Sequence, residues 1–413
     1  MNEILRSTPS LLSASPHVVL IYADTGGGHR ATAQAVAAGL QRITDGNAQI
    51  ELVNATPYMP YPYNVAERAY PTAIAHARLG YAAFWHLTNN TPYAKLTHAS
   101  MEIGGRRTIP RFFAEHPADV YVSCHPLVNQ MLPSTARRLN SRTPFLAVVS
   151  DMVTIHSLFW SQDITHVMVA TEAARALAIR RGMPAEHISV TGQPVLPDFA
   201  ARAERGRAMR RELGLDPNAF TVVLMGGGDG MGRLTQTARA IAASGLPLQL
   251  VALCGRNERA RVELSELGIH AVGFTDKVAE YMGAADVLAS KAGPGAICEA
   301  FVAGLPIALY DAVPGQESGN VDLVVESGAG AWCPEPRQVV AQLQLWLHDR
   351  EAHARAAQAS RAQARPNAAM DAARIILNFS ERRHASEHTR IGGDFVSTYR
   401  HLEPGGSASA HHV

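Results

Sequence analysis

Residues 17–40 read HVVLIYADTGGGHRATAQAVAAGL. Val18 to Ile21 form an unbroken aliphatic run without polar alternation, the pattern of a strand buried on both faces of a parallel sheet. Gly26, Gly27 and Gly28 then interrupt the chain, and an alanine-rich stretch from His29 to Leu40 follows with helical character. Strand, glycine turn and helix in that order make one βα unit.

The same order recurs along the chain. Gln49–Val53, Val120–Ser123, Phe145–Val149 and His166–Val169 are short strand-like runs separated by segments long enough for helices. After the turn-rich junction TGQPVLP (191–197) a second series begins with Thr221–Met225. It continues through Leu248–Cys254, His270–Val272, Val287–Ala289 and Pro306–Tyr310. Alternation of this kind predicts an α/β chain of two doubly wound, Rossmann-like domains with a cleft between them. The expected limits are a flexible N-terminus (1–16), a first domain (17–192), a linker (193–204) and a second domain closing with C-terminal helices (205–379). The polar Gly/Ser/His-rich stretch 380–413 is expected to be a disordered tail.

Composition narrows the function classes. The 413 residues are 47% hydrophobic and 18% charged, with a formal net charge of +1, so no global field recruits nucleic acid. Of the 37 basic residues only Lys95, Lys277 and Lys291 are lysines. Cys124, Cys254, Cys298 and Cys333 lie far apart without a Cys-x-x-Cys pair, which argues for cytoplasmic thiols rather than a zinc ribbon. No apolar run approaches the roughly 18 residues of a membrane span and the N-terminus lacks a secretory pattern, so a cytoplasmic protein, at most peripheral on a membrane, is expected.

Three regions carry chemistry. The first is the Asp24–Ala31 turn, whose glycines let a ligand approach the backbone and whose His29 is a candidate catalytic group, with an unperturbed imidazole pKa near 6.5. The same turn matches a relaxed dinucleotide fingerprint (Gly26, Gly28, Ala31, with Glu51 downstream), so a nicotinamide-dependent oxidoreductase is a rival reading. The second is the glycine cluster at 226–232, including Gly227 and Gly228, which fits neither that fingerprint nor a P-loop. The third is the densest: Gly273-Phe274, then 290–300, then 314–320, each at the carboxyl end of a strand. Gly293, Pro294 and Gly295 before a helix offer backbone donors to a diphosphate, Glu299 one turn later suits ribose hydroxyls, and Gln316, Glu317 and Asn320 suit a sugar. Together they describe a nucleotide-sugar pocket. No Asp-x-Asp occurs, so no carboxylate pair holds a divalent metal on the donor phosphates, and neither metal nor cofactor is expected.

These segments resemble the monogalactosyldiacylglycerol synthase family, GT-B glycosyltransferases related to the transferase that makes peptidoglycan lipid II. The matching stretches are DTGGGHRA (24–31), HPL (125–127), SD (150–151), TGQPVLPDF (191–199), MGGGDGMG (225–232), GFTD (273–276), KAGPGAICEA (291–300) and PGQESGN (314–320). The resemblance implies a GT-B fold and transfer of galactose or glucose from a UDP-sugar to the hydroxyl of diacylglycerol, with inversion. It places uracil against Phe274 and the Gly273 backbone, ribose on Glu299, diphosphate on Gly293 to Ala296, and the hexose on Gln316, Glu317 and Asn320. Lys291 and the glycine loops at Gly227 and Gly228 would stabilise the leaving UDP.

The resemblance also implies that His29 is the general base, with Asp151 orienting it or serving as base itself. The first domain, at Gly27, Gly28 and His125, would hold the lipid. Ile74, Tyr81 and Trp85 share one helical face and are expected to meet the bilayer, with six arginines (106, 107, 111, 137, 138, 142) favouring anionic lipid. The expected location is the inner face of a bacterial cell membrane. Alternatives are the same fold with another lipid or hydroxylated acceptor, and a nucleotide-sugar-binding protein without turnover.

Overall fold

The computed structural model describes residues 15–25, 27–65, 67–68, 77–89, 92–230 and 232–399, with side chains at 78 and 384–399 excepted. The first unit runs β1 (His17–Tyr22), α1 (Gly28–Ile43), β2 (Gln49–Asn54), α2 (Arg78–Thr88), α3 (Pro92–Glu115), β3 (Val120–Ser123), α4 (Leu132–Arg138), β4 (Phe145–Val148), β5 (His166–Val169), α5 (Glu172–Arg180) and β6 (Ile188–Val190). Its sheet order is β2-β1-β3-β4-β5-β6, every pair parallel.

The second unit runs α6 (Phe199–Arg205), β7 (Phe220–Met225), α7 (Leu234–Ala243), β8 (Leu248–Gly255), α8 (Glu258–Glu266), β9 (His270–Gly273), α9 (Val278–Ala284), β10 (Val287–Lys291), α10 (Pro294–Ala303), β11 (Ile307–Asp311), α11 (Ser318–Glu326) and β12 (Gly330–Trp332). Helices α12 (Pro336–His348), α13 (Arg350–Gln363) and α14 (Ala368–Tyr399) complete it. Its sheet order is β12-β11-β10-β7-β8-β9, again all parallel.

Both sheets are covered on both faces, which explains the continuous apolar strands. Val19, Ile21, Phe145 and Val167 face one core of the first sheet, whereas Val18, Leu20, Leu146 and Met168 face the other. Each sheet has one switch point, where successive strands are laid down on opposite sides of the first: β1/β3 in the first unit and β7/β10 in the second. Crevices at the carboxyl ends of such strand pairs are where open α/β sheets bind ligands.

Three expected limits shift. The 193–204 linker contains α6, which belongs with the second unit: a Cβ at Gly283 of α9 would lie 1.8 Å from the Ala203 oxygen, so the two helices meet at backbone distance. The C-terminal helices do not all stay with the second domain. Helix α14 returns to the first, burying Ala372, Ala373 and Ile376 against Val18, Leu20 and Val36. Gly39 of α1 admits that approach, since a Cβ there would stand 2.6 Å from the Ala369 oxygen. Nor does order end at residue 380, because α14 continues to Tyr399 and Arg383 pairs with Asp119 across 3.7 Å. Once tertiary packing has stabilised the buried turns, each added residue gains a hydrogen bond at little entropic cost. The remainder of the tail, 400–413, and most of the N-terminal stretch lie outside the described residues.

Candidate active site

The first switch point assembles the His29 environment. Gly27 caps α1 at φ +78°, a left-handed conformation that glycine adopts without strain, and it throws His29 into the crevice as the second residue of α1. His29 Nδ1 lies 2.9 Å from the Cys124 carbonyl oxygen just beyond β3, and 2.9 Å from Ser150 Oγ beyond β4. A carbonyl only accepts, so this network assigns the proton to Nδ1 and leaves the Nε2 lone pair free to act as a base. His29 is 8% exposed, and burial lowers its pKa to about 4, so the ring is neutral at physiological pH.

The His125 ring stands edge-on to His29 with centroids 4.4 Å apart. Its Nδ1 accepts from the Leu127 N–H, which puts its proton on Nε2, bonded to Thr25 Oγ1 at 2.9 Å. Burial, with His29 adding to it, holds His125 well below the usual imidazole range. The pair therefore forms a neutral, dry wall at the crevice.

Asp151 does not orient His29, whose Nδ1 is held by Cys124 and Ser150. Asp151 instead accepts from Gln316 Nε2 at 3.4 Å, across the boundary between the two units. Burial, reinforced by Glu317, pushes its pKa up to about 7. Gln316 Oε1 accepts from the Tyr81 hydroxyl at 3.0 Å, so one amide ties α2 and Asp151 to the second unit.

The second switch point gathers the donor-site candidates. Lys291 ends β10, and Gly293 caps α10 with Pro294 at its first turn, the arrangement that presents free backbone N–H groups to an anion. The space above Gly295 is open: a Cβ there would meet nothing within 4 Å. Lys291 lies against both glycine loops, its Cε 3.3 Å from a Cβ position at Gly227 and its Nζ 3.5 Å from one at Gly293. Gly228, the next residue of the Gly227 loop, is exposed. Glu299, half-buried on α10, makes no hydrogen bond among the described residues, and burial pushes its carboxyl up to about 7. An unpartnered carboxylate at a helix face in the crevice is suited to receive ligand hydroxyls.

Three expectations change in detail. Glu317 is 5% exposed and both its oxygens already accept, Oε1 from Lys291 Nζ at 2.9 Å and Oε2 from the Val313 N–H at 2.8 Å, so it holds Lys291 and the 313–317 turn. Asn320 is likewise inward, donating to the Ala292 oxygen and fixing the turn into α10. Tyr81 and Trp85 face the second unit, not a bilayer: Trp85 is buried, and a Cβ at Gly315 would lie 3.0 Å from its ring. Ile74 lies outside the described residues.

The exposed large hydrophobic side chains on these helices are Leu79, Phe84 and Leu87 on α2 and Tyr93, Leu96 and Ile103 on α3, among the described residues. Of the arginines, 111, 137 and 138 are paired with Glu115, Asp163 and Glu102. Arg106 and Arg107 form no ion pair among the described residues. The dinucleotide reading loses its acidic residue, because Glu51 sits mid-strand with its carboxylate 2.7 Å from His116 Nδ1 rather than at the carboxyl end of β2.

Sequence reasoning missed Ser150, Thr25 and the Cys124 carbonyl as neighbours of the histidines. It also missed Arg256, which follows β8 and reaches the glycine loops of both units. Only its place at a strand's carboxyl end could have flagged it.

Comparison with known proteins agrees with this architecture. Residues 29–195 match the monogalactosyldiacylglycerol (MGDG) synthase family model, and residues 221–373 the glycosyltransferase family 28 C-terminal domain. The chloroplastic monogalactosyldiacylglycerol synthase of Spinacia oleracea is 32% identical over 345 residues, covering 80% of this chain and 66% of the spinach protein. A probable monogalactosyldiacylglycerol synthase 2 of Oryza sativa subsp. japonica is 33% identical, covering 81% of this chain and 74% of its own. Among solved structures, MurG of Acinetobacter baumannii shares the fold with a TM-score of 0.56 at 18% identity, covering 88% of this chain and 99% of its own. The chain belongs to the monogalactosyldiacylglycerol synthase family, with the GT-B fold of two Rossmann-like units.

Proposed function

We propose that the protein transfers a hexose from a UDP-sugar to the free hydroxyl of 1,2-diacylglycerol with inversion at the anomeric carbon. The observation that carries this reading is the buried, neutral His29, whose tautomer leaves Nε2 as a base, set at one switch point while anion-binding N–H groups and Glu299 occupy the other. The names of the plant relatives, monogalactosyldiacylglycerol synthases, favour galactose over glucose and diacylglycerol over other acceptors.

In this mechanism the acceptor hydroxyl attacks the anomeric carbon from the face opposite UDP. His29 Nε2 takes its proton as the new C–O bond forms and the bond to the diphosphate breaks. The electron pair leaves with UDP, where the N–H groups of Gly295 and Ala296 in the Gly293 to Ala296 turn and the Lys291 ammonium stabilise the growing charge. Glu299 holds the ribose, Phe274 and the Gly273 backbone the uracil, and Gln316 the hexose. Glu317 and Asn320 support that pocket from behind. Gly27, Gly28 and His125 shape the acceptor side. No metal or other cofactor takes part in the proposed chemistry.

An apolar acceptor demands a membrane surface. Among the described residues no helix is long and apolar enough to cross one. The exposed stripe of Leu96 and Ile103, beside Phe84 and Leu87 and flanked by Arg106 and Arg107, is the face we assign to an anionic bilayer, on the inner side of the cell membrane. Incubation with diacylglycerol vesicles and each UDP-hexose, followed by mass and linkage analysis of the lipid, tests the reading. A β-linked monohexosyl product is expected from an α-linked donor, and no hexosyl lipid from any UDP-hexose would refute it.

A further inference from the structure

We propose that Arg256 is a second cation of the donor site, held ready on the second unit to bind the nucleotide's diphosphate where the two glycine loops converge. The proposal rests on the UDP-sugar reading above. A nucleoside diphosphate brings several phosphate oxygens that need donors, and the Lys291 ammonium, one of whose N–H groups is already given to Glu317, cannot reach them all.

Arg256 is built into this place rather than lying there by chance. It directly follows β8, next to β7 in the sheet, and its backbone N–H donates to the Gly228 oxygen at 2.9 Å, so its Cα is tied to the 226–232 loop. Gly255 makes that approach possible: at φ +55° a Cβ would stand 2.3 Å from the same oxygen. The guanidinium is held on two sides. Its Nε and Nη2 both reach Asp229 Oδ1, at 2.9 and 2.8 Å, and its Cζ lies 5.6 Å from the Phe274 ring centroid.

These contacts leave Nη1 without a hydrogen bond among the described residues, while Nη2 lies 3.6 Å from a Cβ position at Gly27 and 3.9 Å from one at Gly228. A planar donor fork between a glycine loop of each unit is suited to bidentate capture of phosphate oxygens. Both glycines lack the side chain that would fill the intervening space. Asp229 and Phe274 act as positioning residues: the carboxylate fixes the fork through one edge, and the ring keeps its plane from swinging into solvent.

Calorimetric titration of wild type, Arg256→Met and Arg256→Lys with UDP and with uridine separates the diphosphate from the base. Arg256→Met is expected to weaken UDP by about tenfold to a hundredfold and to leave uridine within about twofold, with Arg256→Lys intermediate for UDP. With UDP-galactose and diacylglycerol, kcat/KM should fall at least as far as UDP affinity. The side chain is about half exposed, so the variants should retain the wild-type melting temperature. Unchanged UDP affinity in Arg256→Met would overturn the proposal, as would an equal loss for UDP and uridine, which would place Arg256 on the base. If the wild type binds neither UDP nor uridine, the donor reading itself fails and this proposal falls with it.

Discussion

The proton acceptor is decided by a pH profile, because the two candidate bases are set far apart by burial. His29 is lowered to about 4 and Asp151 raised to about 7. The profile of kcat/KM reports groups of the free enzyme. With His29 as base, the lone pair is available throughout pH 5–8 and the acid side of the profile stays flat to about pH 5. With Asp151 as base, the ionised fraction would drop from about one half at pH 7 to about 1% at pH 5, a loss of about fiftyfold. Donor binding widens the gap in usefulness. Negative diphosphate charge raises the pKa of both groups, moving that of His29 up from about 4 toward the working pH, where a base is most effective, and carrying Asp151 out of its ionised range. The assay is initial-rate transfer to diacylglycerol in mixed micelles at subsaturating donor, between pH 5 and 8, with His29→Gln run in parallel. We expect a flat acid side for wild type and a loss of about 10²–10⁴ in rate for His29→Gln, with UDP affinity preserved. A fiftyfold fall between pH 7 and pH 5, or near-normal turnover in His29→Gln, would refute the assignment.

Three further outcomes follow from the same environments. Asp151→Asn should stabilise the protein above pH 7. A carboxyl raised from 3.8 to about 7 costs the folded state about 4 kcal/mol once ionised, and the gain should shrink below pH 7 and vanish near pH 4 in denaturant titrations. Lys291→Met should cost about 3 kcal/mol by leaving Glu317 buried and unpaired, and Glu317→Gln added to it should recover much of that loss in thermal melts. Leu96→Glu combined with Ile103→Glu should reduce sedimentation with anionic vesicles by tenfold or more, on the order of the burial energy of two aliphatic side chains, while UDP binding is unaffected.

The central strands were legible because they are buried on both faces of a parallel sheet, so composition alone marks them: Val120–Ser123 and His166–Val169 match the structure residue for residue. The strands β6 and β12 escaped notice because three residues at a sheet edge carry no run long enough to read. Helical periodicity correctly grouped Tyr81 with Trp85, yet periodicity says only that a face is covered, not by what, and the cover is the 313–317 turn of the other unit. The return of α14 was equally hidden, since its alanines would pack on either unit and only the match of Gly39 to the Ala369 backbone selects the first.

The site itself was half legible for a reason that lies in the fold. Glycines, His29, Lys291 and Glu299 sit at carboxyl ends of strands, and a local pattern of strand then glycine announces such positions in sequence. What turns them into an active site is sheet order. Because β3 is laid down on the far side of β1 from β2, the Cys124 carbonyl comes to stand beside α1 and fixes the tautomer of His29. Because β10 is laid down beside β7 opposite β8, Lys291 meets Gly227 from one side and Arg256 meets Gly228 from the other. The lone pair of the proposed base thus depends on a backbone oxygen that any residue type would supply at position 124. The place of Lys291 depends in turn on the crossover that lays β10 beside β7. Neither dependence leaves a trace in residue type or spacing, so a single sequence names the chemical groups while the two switch points decide which of them act together.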